Sequence, residues 1–261
     1  MTFVYFSANE VFEEHINYFL SKNPCSTKVG SLRKSNKSFV TDIFRLKIVK
    51  DKKYVIYNTS PANILFSILV RFFFKSRICF HLHDPIPHSG KINTIINILN
   101  SLQVSLSDEL QFYSNYVHKI FVNNFSKYSD LPYSIIKHPP PSFTHIKEVA
   151  RFDYGLFGRN MPYKNLNEFI KLAKNNPEKN FVIVGAGYPN IKLKNLAHYD
   201  GYVTNDIYYS LMSNTDVIYL NYSELSFSGV LFDAVSLNRH ILVSDLIRLS
   251  YPEFNDKYVI K

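Results

Sequence analysis

The 261-residue chain has no tryptophan and only two cysteines, Cys25 and Cys79. Two cysteines make no disulfide framework. Neither stands in a CxxC or CxxH pattern, which speaks against structural zinc and for a reducing compartment. The first residues, "MTFVYFSANEVFEE", carry no basic n-region and turn acidic at once, so they do not read as a secretory signal. No long apolar run is present either. The most apolar stretch, "ANILFSILVRFFFKSR", is cut by Arg71 well before the roughly 18–20 residues that a spanning helix needs. These absences predict a cytoplasmic protein, soluble or peripheral on the inner face of the plasma membrane.

What is present is a normal globular composition. Hydrophobic residues make up 46% and charged residues 20%, enough to bury a sizeable core. The net charge of +9 is uneven. Up to Ile146 there are 17 basic against 9 acidic residues; from Lys147 onward there are 13 against 12. A basic first half has two readings, a solvated basic face or an anionic partner on that side.

Short apolar runs alternate with segments of helical period. "FVYFS", "KYVIYN" and "RICFHLHD" read as strands. "EVFEEHINYFLSK" and "KINTIINILNSL" read as helices, and "ANILFSILVRFFF" as a buried helix. Prolines 139–141 interrupt the pattern, which then restarts with "RFDYGLFG", "NLNEFIKLAKNN" and "NFVIVGAG". "NDIYYSLMSN", "DVIYLNY", "GVLFDAVSLN" and "HILVSD" continue it. This alternation predicts an α/β protein with parallel sheets in two Rossmann-like domains, residues 1–146 and 147–261, with a cleft between them.

Two loops in the second half have the chemistry of an anion site. "FGRNMPYKN" (157–165) runs from a strand end into a helix. Asn165 and Glu168 are spaced as a capping box, and Leu166, Phe169, Ile170 and Ala173 have helical spacing. Free N–H groups at such a terminus favour an anion. Arg159 adds a planar fork and Lys164 a point charge, both suited to phosphate oxygens. "YSELSFSGVLFDAVS" repeats the design, with Ser228 as N-cap and Gly229 open to close approach. Asp233, on the second helical turn, has a carboxylate able to hold a ribose diol. In the alternative, these residues are a cap and surface charges.

The first half has one cluster of chemistry-bearing residues, "FHLHDPIPHSG", with His81, His83, Asp84 and His88 at a strand end. Three imidazoles and a carboxylate are metal-ligand types, but HxHDxxxH fits none of the usual zinc spacings. Histidines that simply close a strand end are the structural alternative.

Taken together, Arg159 and Lys164 after "FG", then "FVIVGAG", then "SFSGVLFDA" and "HILVSD", resemble the donor half of the retaining GT-B glycosyltransferases of the GT4 type. The resemblance covers residues 151–250 and implies the GT-B fold. It implies that Gly158, Arg159 and Lys164 hold a nucleoside diphosphate, with the helix that follows Ser228 and Gly229 facing the phosphates. Asp233 would hold the ribose. Gly185 and Gly187 would form a turn beside the nucleotide, with Val203 and Thr204 near the base. In the first half, "FHLHD" resembles the acceptor-side segment, which would make His83 and Asp84 catalytic by orienting an acceptor hydroxyl or taking its proton. The chain departs from the family in three places. Leu225, beside Glu224, stands where the family's acidic motif begins. "FVYFSANEVFEE" replaces a glycine-rich turn. The chain stops at "YPEFNDKYVIK", where the family continues with closing helices, so the second domain is expected to be short.

The resemblance therefore implies sugar transfer from a nucleotide sugar to a glycan or lipid-linked acceptor, as in synthesis of bacterial surface polysaccharide such as O-antigen. No DxD-like motif is present, so neither metal nor other cofactor is expected. The short C-terminus motivates a second expectation, a catalytically weak nucleotide-sugar-binding protein of the same fold. "RLKIVKDKK" and "VRFFFKSR" are candidates to rest on anionic headgroups. No nucleic-acid partner is expected, because no recognition motif or aromatic platform accompanies the basic residues.

Overall fold

The computed structural model describes residues 2–7, 10–23, 27–32, 53–86, 93–141, 143, 147–225 and 227–259. Cys25, His88 and the basic stretch 45–52 lie outside the described residues. The chain divides into two compact units, Met1–Pro139 and Pro140–Lys261.

The first unit carries strands β1 (Thr2–Ser7), β2 (Thr27–Leu32), β3 (Lys53–Ile56), β4 (Arg77–His81), β5 (Glu109–Phe112) and β6 (Tyr133–Ile135). They form one parallel sheet in the order β2-β1-β3-β4-β5-β6. Among the described residues four helices connect them: α1 (Glu10–Lys22), α2 (Pro61–Phe74), α3 (Asn93–Ser105) and α4 (Asn115–Asn124). Local chemistry sets their starts. Ser60 Oγ accepts from the Asn63 N–H ahead of α2, and Ser114 Oγ accepts from the Val117 N–H ahead of α4. Pro61 opens α2, where its missing N–H costs nothing. β3 to β5 advance in one direction across the sheet, so right-handed crossovers put α2 and α3 side by side on one face. The segment "ANILFSILVRFFF" is helical as expected, but it is not wholly buried. Leu65, Ile68, Phe72 and Phe73 are exposed, because only one side of α2 meets the sheet.

The second unit carries β7 (Phe152–Phe157), α5 (Leu166–Asn175), β8 (Phe181–Gly185), β9 (Leu196–Asp200) and α6 (Asn205–Ser213). β10 (Thr215–Leu220), α7 (Gly229–Ser236), β11 (His240–Val243), α8 (Asp245–Ser250) and β12 (Tyr258–Val259) follow. Its sheet is also parallel, in the order β12-β11-β10-β7-β8-β9. Leu156, Phe169, Ala173, Phe181, Ile183, Tyr219 and Leu242 form its core, uniting four strands and the apolar side of α5. The chain moves outward from β7 through β8 to β9, then returns to the other side of β7 as β10. The switch point of the sheet therefore lies between β7 and β10, and parallel α/β sheets bind ligands at that place, beyond the strand ends.

Candidate functional site

The two loops singled out by their charge are the ones that leave β7 and β10, so strand order alone places both at the switch point. Short bonds fasten them together. Asn165 Nδ2 donates to the Asn221 carbonyl at 2.7 Å, and the Ser223 N–H donates to the Tyr163 carbonyl at 2.9 Å. The expected capping box is not formed. Asn165 adopts a left-handed conformation (φ 53°), and its side chain reaches the β10 loop instead of the first turn of α5. Asparagine tolerates that conformation better than most residues.

Lys164 is not a surface charge. It is only 4% exposed, and Nζ donates to the Phe157 carbonyl at 2.7 Å. Nζ also lies 5.8 Å from the centre of the Tyr222 ring, within cation–π range. Burial, and secondly the charge of Arg159, pull its pKa down to about 8. Gly158 beside it has φ +85°, and a side chain there would meet Lys164 Nζ and Val230 on the first turn of α7. Arg159 is exposed and forms no ion pair among the described residues. A buried ammonium and a free guanidinium at one glycine turn are an electrostatic vacancy suited to an anion.

The β8 loop braces the turn. The Gly158 N–H donates to the Val184 carbonyl at 2.8 Å, and the Asn160 N–H to the Ala186 carbonyl at 2.9 Å. Asn160 Nδ2 donates to the Gly187 carbonyl, and the Tyr188 hydroxyl to the Gly158 carbonyl. Gly185, at φ +145°, packs its α-carbon directly on the Gly158 carbonyl, leaving no room for a side chain. Gly185 and Gly187 thus support the Arg159 turn from behind.

Ser228 caps α7 as expected, its Oγ accepting from the Leu231 N–H at 3.3 Å. A side chain added at Gly229 would meet nothing, so the space before this helix is open. Ser228 also hydrogen-bonds Tyr222. Asp233 is half-buried, and its charge reaches Tyr208, whose ring stands edge-on to Phe157. Thr204 is the N-cap residue of α6 without a side-chain cap bond, and Val203 precedes it half-buried. Glu224 is exposed and Leu225 half-buried. Two hollows flank these loops. One of about 460 Å³ is lined by Asn160, Met161, Pro162 and Asn165 to Glu168; one of about 500 Å³ lies beside β11 around Ser244 and Arg248. Neither is lined by Lys164, Ser228 or Asp233.

The first unit brings His83 into a larger group than the sequence pointed to. Tyr57 follows β3, His81 ends β4, Tyr113 follows β5, His138 follows β6, and His15 comes from α1. Each of the first four lies at or just past a strand's carboxyl end. The Tyr57 hydroxyl bonds the Tyr113 hydroxyl, and both reach His15 Nδ1, at 3.0 and 3.2 Å. His83 Nε2 donates to the Tyr57 carbonyl at 3.1 Å, which leaves Nδ1 as the basic nitrogen. His81 is fully buried, stacked on Tyr57 at 4.8 Å, with no hydrogen bond to either ring nitrogen. Burial lowers the pKa of His15 to about 4 and those of His83 and His138 to about 3, with mutual repulsion adding to the last two. His81 is pushed well down by burial and then by the other imidazoles. All four rings are therefore neutral near pH 7. Asp84 is half-buried, and its carbonyl accepts from Asn100 Nδ2. Among the described residues no three His, Cys, Asp or Glu side chains are arranged to hold a metal ion. Cys79 is buried and unpaired, its thiol pushed up to about 12 by burial and then by Glu109.

No family model matches the chain, and no curated protein matches it. Solved structures do. A Neisseria meningitidis UDP-GlcNAc 2-epimerase bound to UDP-GlcNAc is 15% identical, with 93% of this chain and 82% of that one covered at a TM-score of 0.56. The Anabaena protein HepE in complex with UDP is 14% identical, with coverage of 100% and 85% and a TM-score of 0.62. An α-glucosyltransferase in complex with UDP-glucose and DNA is 14% identical, with coverage of 93% and 79% and a TM-score of 0.62. At such identities the likeness is one of fold: the chain is an α/β protein with parallel sheets, built like these proteins.

Proposed function

We propose that the second unit binds a UDP-sugar and that the protein is a GT-B glycosyltransferase of GT4 type. The observation that carries this reading is Lys164, buried against the Gly158 turn at the sheet's switch point with no carboxylate pairing it among the described residues. The solved structures with the same fold include proteins in complex with UDP, UDP-glucose and UDP-GlcNAc, which supports uridine as the base.

In this reading Arg159 and Lys164 grip the diphosphate, and the first turn of α7 offers N–H groups to it. Negative charge grows on the diphosphate as the glycosidic bond breaks, and fixed cations stabilise that charge without reorganising. These groups supply the stabilisation without a metal. Asp233 takes the ribose hydroxyls, and Val203 and Thr204 border the base. His83 and Asp84 are assigned to the acceptor, a glycan or lipid-linked sugar. Neutral His83, with Nε2 committed to a carbonyl, has the tautomer to accept a hydrogen bond from the acceptor hydroxyl and orient it.

The fold likeness to UDP-GlcNAc 2-epimerases favours a second reading, epimerisation of the bound sugar. Epimerisation moves a proton at a ring carbon, whereas transfer removes one only from the acceptor hydroxyl. Incubation of UDP-GlcNAc or UDP-glucose with a glycan or lipid-linked sugar as acceptor, in deuterated water, separates the two. Transfer releases UDP with no deuterium at sugar carbons; epimerisation incorporates deuterium at C2 and interconverts two UDP-sugars. UDP binding with neither outcome identifies a binding protein. Absence of UDP binding overturns the donor site itself.

A further inference from the structure

Helices α2 and α3 lie side by side on one face of the first sheet, and both turn apolar residues outward. On α2 these are Leu65, Ile68 and Phe72; on α3 they are Ile95, Ile98 and Leu102. The two sets share the spacing i, i+3, i+7, which makes a stripe along one side of each helix. Phe72 and Phe73 are 68% and 75% exposed, at the end of α2. Exposed apolar residues are normally scattered singly, and a contiguous group marks an interaction surface.

The charge around this surface has one sign. Neither helix contains an acid, and the only charge within them is Arg71, which pairs with Asp108 at 3.1 Å. Lys75 and Arg77, directly after the exposed phenylalanines, are exposed and without an ion pair among the described residues. Between Asp51 and Asp108 the sequence has six basic residues against one acid, Asp84.

We propose that the outer face of α2 and α3 docks on an anionic lipid bilayer, with Phe72 and Phe73 entering the headgroup boundary and Lys75 and Arg77 meeting the lipid charge. Two signals are needed for such attachment, since a small apolar insertion alone gives only marginal binding. Here the two signals are adjacent in sequence and both are solvent-facing. No helix among the described residues is long and apolar enough to cross a membrane, so the contact is one of surface attachment. A second copy of the chain fits less well. A two-fold contact centred on Phe72 and Phe73, the most exposed apolar side chains of this face, would set Lys75 and Arg77 against their own like charges, at an energetic cost. The inference does not depend on which sugar chemistry the protein performs.

Co-sedimentation of the full chain with phosphatidylcholine vesicles, with and without phosphatidylglycerol, tests it. The expected result is binding that requires phosphatidylglycerol and weakens as salt rises. The double variant Phe72→Ser/Phe73→Ser should lower partitioning by about tenfold or more, given the apolar area the two rings would bury. Lys75→Gln/Arg77→Gln should lower it by roughly tenfold or more as well, each basic residue near an anionic surface contributing several-fold. All four positions are exposed, so melting temperature and UDP affinity should stay at wild-type values and verify folding. Partitioning that is absent, or unchanged in both variants, overturns the proposal. So does sedimentation velocity showing a dimer that Phe72→Ser/Phe73→Ser converts to monomer, because the face would then be a contact between copies.

Discussion

Acidification should destabilise the first unit steeply, through the four buried imidazoles. In the unfolded chain each histidine titrates near its ordinary value of about 6.5. In the folded chain burial holds His15 near 4 and His83 and His138 near 3, with His81 lower than its ordinary value as well. The stability is therefore fully present above about pH 6.5 and is lost as the pH falls toward the folded values, since only the unfolded state takes up protons in that window. From about pH 7 to about pH 5.5 the loss is about 1.2 kcal/mol for each histidine, or about 5 kcal/mol for four. His15 and His83 keep some contact with water, so about 3–5 kcal/mol is the working range. Even the lower figure is a large part of the 5–15 kcal/mol that domains of this kind possess. Urea unfolding followed by circular dichroism at the two pH values measures it. His81→Phe keeps the ring on Tyr57 and removes one titrating group, so its pH dependence should be shallower by about one proton. Stability that is flat or rises on acidification would refute the reasoning, because the imidazoles would then have to be protonated inside the fold.

Three further outcomes follow from the second unit. UDP affinity should fall above about pH 8, by up to about tenfold per pH unit, as free Lys164 loses its proton; calorimetric titration across pH shows it, and Lys164→Met should flatten the profile. Gly185→Ala should cost about 2–3 kcal/mol and weaken UDP binding, because the added methyl strikes the Gly158 carbonyl and φ is positive; thermal unfolding with and without UDP reads both. Ser228→Ala should cost about 1 kcal/mol by removing the α7 cap, measured by urea unfolding.

Much of the fold was legible because apolar period and length agreed. The segment "EVFEEHINYFLSK" is α1 residue for residue, and the strand–helix order of residues 151–245 is the observed one except for β9. β2, "TKVGSL", and β9, "LAHYD", gave too little apolar alternation to stand out. "KIFVN", apolar enough for a strand, is the second half of α4. α2 was legible as a helix but not in its facing: a segment apolar all round does not reveal which side meets the sheet. The loops at 157–165 and 221–229 were found from charge and glycine placement. Their joining was not, since it rests on Asn165 leaving the capping role for a bond to Asn221, 56 residues away. Nor was the burial of Lys164, which a loop lysine does not advertise. His15, Tyr57, Tyr113 and His138 were missed because they come from four separate elements and meet only through strand order. Their signal was positional: Tyr57 and Tyr113 each immediately follow a strand.

In the proposed function Arg159 and Lys164 hold the diphosphate of a uridine nucleotide. Isothermal titration of the wild-type chain, Arg159→Ala and Lys164→Ala with UDP and with uridine tests it most directly. UDP should bind the wild type far more tightly than uridine does, and each substitution should lower UDP affinity by at least about tenfold, as expected for a lost charge-assisted contact. Both variants should bind uridine as the wild type does. UDP and uridine binding alike, or UDP affinity unchanged in both variants, would contradict it.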